Sequence, residues 1–235
     1  MKMGIIAAGT GDRLASGGIS TPKPLVPIAG KPLISRIIEG GAALGVSSVA
    51  CIVNALNAVT IDYLRSQPWP VPLDLVVKTT PSSMESLFCL APHLSDEPFF
   101  LSTVDVVFGP GILEGFIAEA QRKTDSTGSL ALTTFVDDEK PLWAAVDEAG
   151  RITAMGDAAK GSGAITAGFY YFKPDIFAEV DIARKKKLNA LRQFLGHLVD
   201  NGYVLHGVPV PKTVDVDYPE DIETAESYLK ETDTE

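Results

Sequence analysis

The stretch that most constrains this chain is a four-residue apolar run, Ile5 to Ala8, that breaks at once into Gly9-Thr10-Gly11. Such a run reads as a buried strand ending in a loop of bare backbone N–H groups. Glycine reaches backbone angles closed to other residues and lets an anion approach the main chain, so the loop suits a phosphate. Arg13 and Lys23 add two cations, and Pro22, Pro24 and Pro27 stiffen the path that carries Lys23. Residues 1–36 hold Lys2, Arg13, Lys23, Lys31 and Arg36 against Asp12 alone, a net charge of +4 in a chain whose total is −10. Positive charge is therefore concentrated around this loop.

The third glycine of a dinucleotide fingerprint is missing after Leu14, and there is no Gly-Lys-Ser/Thr of the kind that a P-loop would require. Instead the first strand runs into Ala7-Ala8-Gly9-Thr10-Gly11-Asp12-Arg13-Leu14, then Pro22-Lys23-Pro24-Leu25-Val26-Pro27-Ile28-Ala29-Gly30-Lys31-Pro32-Leu33. Over some 30 residues this resembles the signature of the sugar-phosphate nucleotidyltransferase superfamily, A-A-G-x-G-x-R-L and then P-K-P-L-x-P-x-x-G-K-P-L.

The rest of the chain is consistent with a sheet covered by helices. A helix over Pro32–Leu44, closed by Gly45, a strand over Val49–Val53, a helix over Thr60–Ser66 and a strand over Leu73–Val77 give the alternation of a parallel α/β sheet. Serines at 82 and 83 precede a helix running to Leu94, where they are candidate N-caps. Within Phe99–Val107 a strongly apolar strand ends in one carboxylate, Asp105, which at the carboxyl end of a central parallel strand would point into the ligand crevice and needs a partner or a metal, because an unpaired buried charge is costly. Next come helical periodicity over Gly111–Lys123, a β-rich run over Ser129–Val136, a hairpin over Trp143–Met155 and a strand over Ile165–Phe172. Arg184-Lys185-Lys186-Lys187 is expected to open a helix over Leu188–Asp200. A late strand over Tyr203–Pro209 leads to Asp215, Asp217 and a closing helix whose first turn takes Glu220 and Asp221, with fraying from Thr232.

The expected architecture is a three-layer α/β/α sandwich with a mostly parallel central sheet, Rossmann-like and of the GT-A type that the resemblance implies, plus a small β-rich acceptor-binding portion. One domain over residues 1–235 is expected, with a nucleotide-binding half at 1–110 and an acceptor-binding half with the closing helix at 111–235. A pI near 4.8 argues against nonspecific nucleic-acid binding. The N-terminal apolar run is too short for a signal sequence, no apolar window is long enough for a membrane span, and Cys51 and Cys89 lack metal-ligand spacing. A cytoplasmic chain with two reduced core thiols is expected. His93, His197 and His206 show no partnered spacing and read as surface or core residues.

The resemblance implies a site. Ala7, Ala8, Gly9, Thr10, Gly11, Arg13, Lys23, Ser82 and Ser83 would bind a nucleoside triphosphate, with Arg13 and Lys23 catalytic. Asp105 and Asp215, the latter in a segment like the family's D-x-x-T-P-E-D, would bind Mg²⁺, with Asp217 assisting. Lys160, Thr166 and Gly168 would face a small phosphorylated acceptor, although the family's Glu-Lys-Pro is absent and Thr166 replaces its asparagine. A sugar 1-phosphate is the leading acceptor. Ser83-Met84-Glu85-Ser86-Leu87 also resembles the cytidylyltransferases that act on phosphocholine or phosphonates, and no appended β-helix is expected. Guanylyl transfer to a molybdenum cofactor, a noncatalytic sugar-nucleotide sensor and an oxidoreductase remain as other readings.

Overall fold

The computed structural model describes residues 1–136 and 140–232. β1 (Lys2–Ala7) leads into α1 (Asp12–Ser16), the short β2 (Pro27–Ile28) and β3 (Lys31–Pro32), and α2 (Leu33–Ala43). β4 (Val49–Val53), α3 (Ala58–Ser66), β5 (Leu73–Val77), α4 (Ser83–Leu94) and β6 (Phe99–Thr103) continue the alternation. After β7 (Val106–Val107) and α5 (Ile112–Arg122) come β8 (Gly128–Thr133), the pair β9 (Ala144–Val146) and β10 (Ile152–Met155), and β11 (Ile165–Phe172). The chain closes with α6 (Val180–Lys185), α7 (Leu191–Asp200), β12 (Leu205–Pro209), β13 (Val214–Asp215) and α8 (Pro219–Thr232).

Seven strands form one sheet in the order β12-β8-β11-β6-β1-β4-β5, and only β11 runs against its neighbours. The expected mostly parallel α/β sandwich is therefore observed. Side chains of β1 alternate between the two faces as the two-residue period demands. Met3, Ile5 and Ala7 join the core under α2, α3, α5 and α8, while Ile6 and Ala8 join the one under α4 and α7. β6 is the central strand and β1 lies beside it, with β4 and β5 beyond β1. The carboxyl ends of β1 and β6 thus border a topological switch point, where open α/β sheets form their ligand crevice.

β11 is anchored by aromatics. Phe169 is fully buried, and its ring packs 5.1 Å from that of Phe116 and 6.2 Å from that of Phe100. Its register with β8 slips between Thr166 and Tyr170, around Gly168 at φ 77°. A Cβ at Gly168 would stand 3.0 Å from Thr103 Oγ1, 3.3 Å from Val106 Cβ and 3.7 Å from Asp215 Oδ1. Glycine is needed both for the left-handed backbone and for the close approach of β6, β7 and β13.

One expectation is corrected. The basic cluster does not open a helix: Arg184 and Lys185 end α6, Lys187 takes φ 56°, and α7 starts only at Leu191. Cations are favoured at that end of a helix, where the dipole is negative, and Arg184 is held there by Glu85 at 2.9 and 2.7 Å. The strand that opens at Phe99 ends just before Asp105, as expected. Val104 N donates to Ile6 O, and the chain then turns at Asp105 into β7, which pairs with β13. Of the fraying expected from Thr232, Thr232 itself still ends α8, and residues 233–235 lie outside the described residues. No helix among the described residues is long and apolar enough to cross a membrane.

Candidate active site

A cavity of about 500 Å³ opens at the carboxyl ends of β1, β4 and β6. Its floor is the loop Ala8–Gly11, and one wall is the segment Thr79–Ser83 at the start of α4. Gly11, at φ 71°, turns the chain from β1 into α1, and a Cβ there would sit 3.2 Å from Lys23 Cβ. The glycine thus brings Lys23 against the loop. Ser82 caps α4, its Oγ accepting from Glu85 N at 3.2 Å. Ser83 Oγ is committed elsewhere, accepting from Leu191 N at the start of α7, on the same face of the sheet, at 3.2 Å.

At the mouth the charges form a chain. Lys23 Nζ donates to Asp105 Oδ2 at 2.8 Å and to Asp217 Oδ1 at 2.6 Å, and Arg13 Nη1 donates to Asp217 Oδ2 at 2.7 Å. Burial alone would lower the Lys23 pKa, but the adjacent Asp105 and Asp217 carboxylates outweigh it and hold the ammonium well above its ordinary value. Burial would raise the Asp105 carboxyl, yet the Lys23 ammonium and the Thr103 hydroxyl keep it below its usual range. Asp217 itself is positioned by α8: its backbone N–H and that of Tyr218 both donate to Asp221 Oδ2, at 2.8 and 2.7 Å. Asp221 acts as the third residue of a helix reaching back to its N-cap. The Arg13 guanidinium also lies 5.4 Å from the Tyr218 ring centre.

Asp215 approaches from the other side. In the β7–β13 ladder it pairs with Val106, and Val216 N donates to Asp105 O at 3.0 Å, so residues more than a hundred apart share one short ribbon. A second cavity, of about 280 Å³, is lined by Phe135, Thr166, Asp215, Tyr218, Glu220 and Asp221, and Asp217 borders both cavities. Among the described residues no group of three His, Cys, Asp or Glu side chains is arranged to hold a metal ion by itself.

The fold agrees with comparison to known proteins. Residues 3–171 match the model of the MobA-like NTP transferase domain. The chain belongs to that family. It is 29% identical over 155 residues to the CMP-5'-(3-aminopropyl)phosphonate synthase of Streptomyces rubellomurinus, covering 58% of this chain but only 24% of that relative. The UTP–glucose-1-phosphate uridylyltransferase AglF of Haloferax volcanii is 24% identical over 244 residues, 100% of this chain and 99% of its own. Among solved structures, the inositol-1-phosphate CTP transferase from T. maritima superposes with a TM-score of 0.81 at 21% identity, over 98% of this chain and 96% of that one.

Within this MobA-like nucleotidyltransferase the fold brings most of the sequence-derived candidates together. Ala7, Ala8, Gly9, Thr10, Gly11, Arg13, Lys23, Ser82, Ser83 and Asp105 line the larger cavity, and Thr166 and Asp215 the smaller. Gly168 underlies both aspartate strands. Lys160 is exposed and borders neither cavity, which separates it from the acceptor-side candidates. Sequence reasoning undervalued Asp217, whose two cationic partners lie 194 and 204 positions away. It also missed Asn54 and Thr79, which line the larger cavity; a polar residue straight after an all-buried strand was the available signal. The oxidoreductase reading required an acidic residue after β4, and Asn54 stands there.

Proposed function

We propose that this nucleotidyltransferase moves a nucleoside monophosphate from an NTP to a phosphorylated acceptor, in the first reading a sugar 1-phosphate, releasing pyrophosphate. The observation that carries this reading is the pair of cavities meeting at Asp217, with Lys23 and Arg13 at their junction. The half over residues 1–110 takes the nucleotide and the half over 111–235 the acceptor.

Attack on the α-phosphorus builds negative charge on nonbridging oxygens and on departing pyrophosphate, so the reaction needs positioning and cations more than a nucleophilic side chain. The backbone N–H groups of Gly9–Gly11 cradle the phosphates, while Arg13 and Lys23 offset charge at the leaving group and the α-phosphate. The arriving triphosphate competes with Asp105 and Asp217 for these two cations. Carboxylates released in this way match the need of Mg²⁺, which binds through one or two carboxylates plus substrate phosphates and not through an all-protein cage. Asp105, with Asp215 or Asp217, would hold the ion, and its chemistry there is Lewis-acid polarisation of the phosphoryl oxygens. The acceptor's own phosphate is the nucleophile, so the site needs no general base. Thr166 and the Gly168 bulge shape the acceptor side.

A second reading of the acceptor is favoured by the smaller cavity. Four carboxylates, Asp215, Asp217, Glu220 and Asp221, and the rings of Phe135 and Tyr218 line it, with no Lys or Arg among its described lining residues. Lys212 Nζ already stands 4.2 Å from the Phe135 ring centre and the Arg13 guanidinium 5.4 Å from that of Tyr218, so it is the acidic lining that suits an acceptor carrying an ammonium group, such as phosphocholine or an aminoalkyl phosphonate. The aminoalkyl product in the name of the Streptomyces relative points the same way.

The test is pyrophosphate release with each of four NTPs against sugar 1-phosphates, phosphocholine and aminoalkyl phosphonates, with Mg²⁺ or with EDTA. Turnover that needs the metal, and that falls by about 10²–10³ in Asp105→Asn, is expected. Absence of turnover with every pair, or full activity in Asp105→Asn, refutes the proposal.

A further inference from the structure

Asn54 ties three strand ends together on the floor of the larger cavity. It comes directly after β4 and is only 7% exposed. Its Nδ2 donates to Ala8 O, just past β1, at 3.3 Å. Its Oδ1 accepts from Leu56 N at 3.0 Å and from Thr79 Oγ1, just past β5, at 2.8 Å. These partners fix the orientation of the amide, because a carbonyl requires the nitrogen on one side and an N–H requires the oxygen on the other.

Asn54, Ala8 and Thr79 all line the cavity, yet the Asn54 amide is engaged with protein on both sides. The strands β1, β4 and β5 are adjacent in the sheet, and their ladder ends with Ala7 opposite Val53 and Val53 opposite Val77. Beyond that point Lys78 N donates to Val53 O, and the strands then diverge into separate loops. Asn54 is the side chain that holds the Ala8–Gly11 loop and the Thr79–Ser83 wall at a fixed separation. Aspartate cannot donate to Ala8 O and would set a charge against that carbonyl. Leucine makes none of the three bonds, and glutamine is longer by one methylene.

We propose that Asn54 is a positioning residue for the nucleotide: through Ala8 and Thr79 it sets the width of the cavity and thereby the affinity for NTP, without touching the reacting atoms. The inference rests on the larger cavity being the nucleotide site. Its loss acts on binding in the ground state and the transition state alike, so it appears in KM for NTP and not in kcat.

The experiment compares wild type with Asn54→Asp and Thr79→Val, measuring steady-state kinetics, calorimetric binding of each NTP with Mg²⁺ and no acceptor, and thermal unfolding. In Asn54→Asp, KM and Kd for NTP rise by about tenfold or more while kcat and the acceptor KM stay within about threefold. Thr79→Val, which removes one of the three bonds, moves the same constants in the same direction by less, and decides the matter if the first variant does not fold. A lower melting temperature with unchanged NTP affinity, or a fall in kcat at constant KM, overturns the role assigned to Asn54. Failure of the wild-type chain to bind any NTP would instead overturn the nucleotide reading on which this one depends.

Discussion

Replacing Lys23 by methionine removes the ammonium shared by Asp105 and Asp217 while keeping most of the side chain's volume. Lys23 is 12% exposed, and its partners are 28% and 32% exposed. Breaking a fully buried ion pair by deleting one partner costs about 3–5 kcal/mol. Because both carboxylates still see solvent, screening reduces this, and about 2–3 kcal/mol is expected at pH 7. For a chain of this size that lowers the melting temperature by about 5–10 °C.

The sign of the pH dependence comes from Asp105. Its folded pKa is depressed, so its contribution is present above the unfolded value of about 3.9 and is lost as pH falls through the folded value. Lys23 is shifted upward, so its contribution persists below its unfolded value of about 10.4 and is lost only as pH rises through the folded one. The difference between wild type and Lys23→Met, measured by urea unfolding, is therefore flat from about pH 5 to 9 and shrinks below about pH 4 as Asp105 protonates. A loss of equal size at pH 3 and pH 7 would mean that packing, not charge, was removed. Added Mg²⁺ should recover more stability in the variant than in wild type, since the carboxylates no longer have a competing cation.

Gly11→Ala puts a Cβ on a residue at φ 71° and within 3.2 Å of Lys23 Cβ, so a loss of about 1–2 kcal/mol with raised KM for NTP is expected in unfolding and kinetic assays. Burial pushes the Cys51 thiol up to about 12, so a thiol reagent at pH 8 should titrate Cys89 alone in the native state and both cysteines in guanidinium. Two fast native equivalents would contradict the packing of β4. Phe169→Ala deletes a fully buried ring packed on Phe100, Phe108 and Phe116 and should cost about 3–5 kcal/mol by chemical denaturation, with the β11 bulge loosened.

The elements most legible in the sequence were those whose signal is local. Val49–Val53, Leu73–Val77 and Ile165–Phe172 are found with the bounds that apolar runs between turn residues imply, and Ser82 caps α4 as serine before an apolar helix should. The Gly9–Gly11 loop was readable for the same reason: backbone freedom and a strand end are properties of adjacent residues. The basic run at Arg184–Lys187 was misplaced because composition marks a helix end without saying which end, and the dipole preference is satisfied only once Lys187 turns the chain. What local pattern cannot carry is the pairing of Lys23 with residues 82 and 194 positions away, or of Asn54 with Ala8 and Thr79 from either side. Those partners are chosen by strand order, by the bulge at Gly168 and by the β7–β13 ribbon, which bring distant backbone together before any side chain can meet. The sequence by itself determined the alternation of elements and the glycine loop after β1; only the tertiary structure decided that Asp217 is the carboxylate shared by both cations and both cavities.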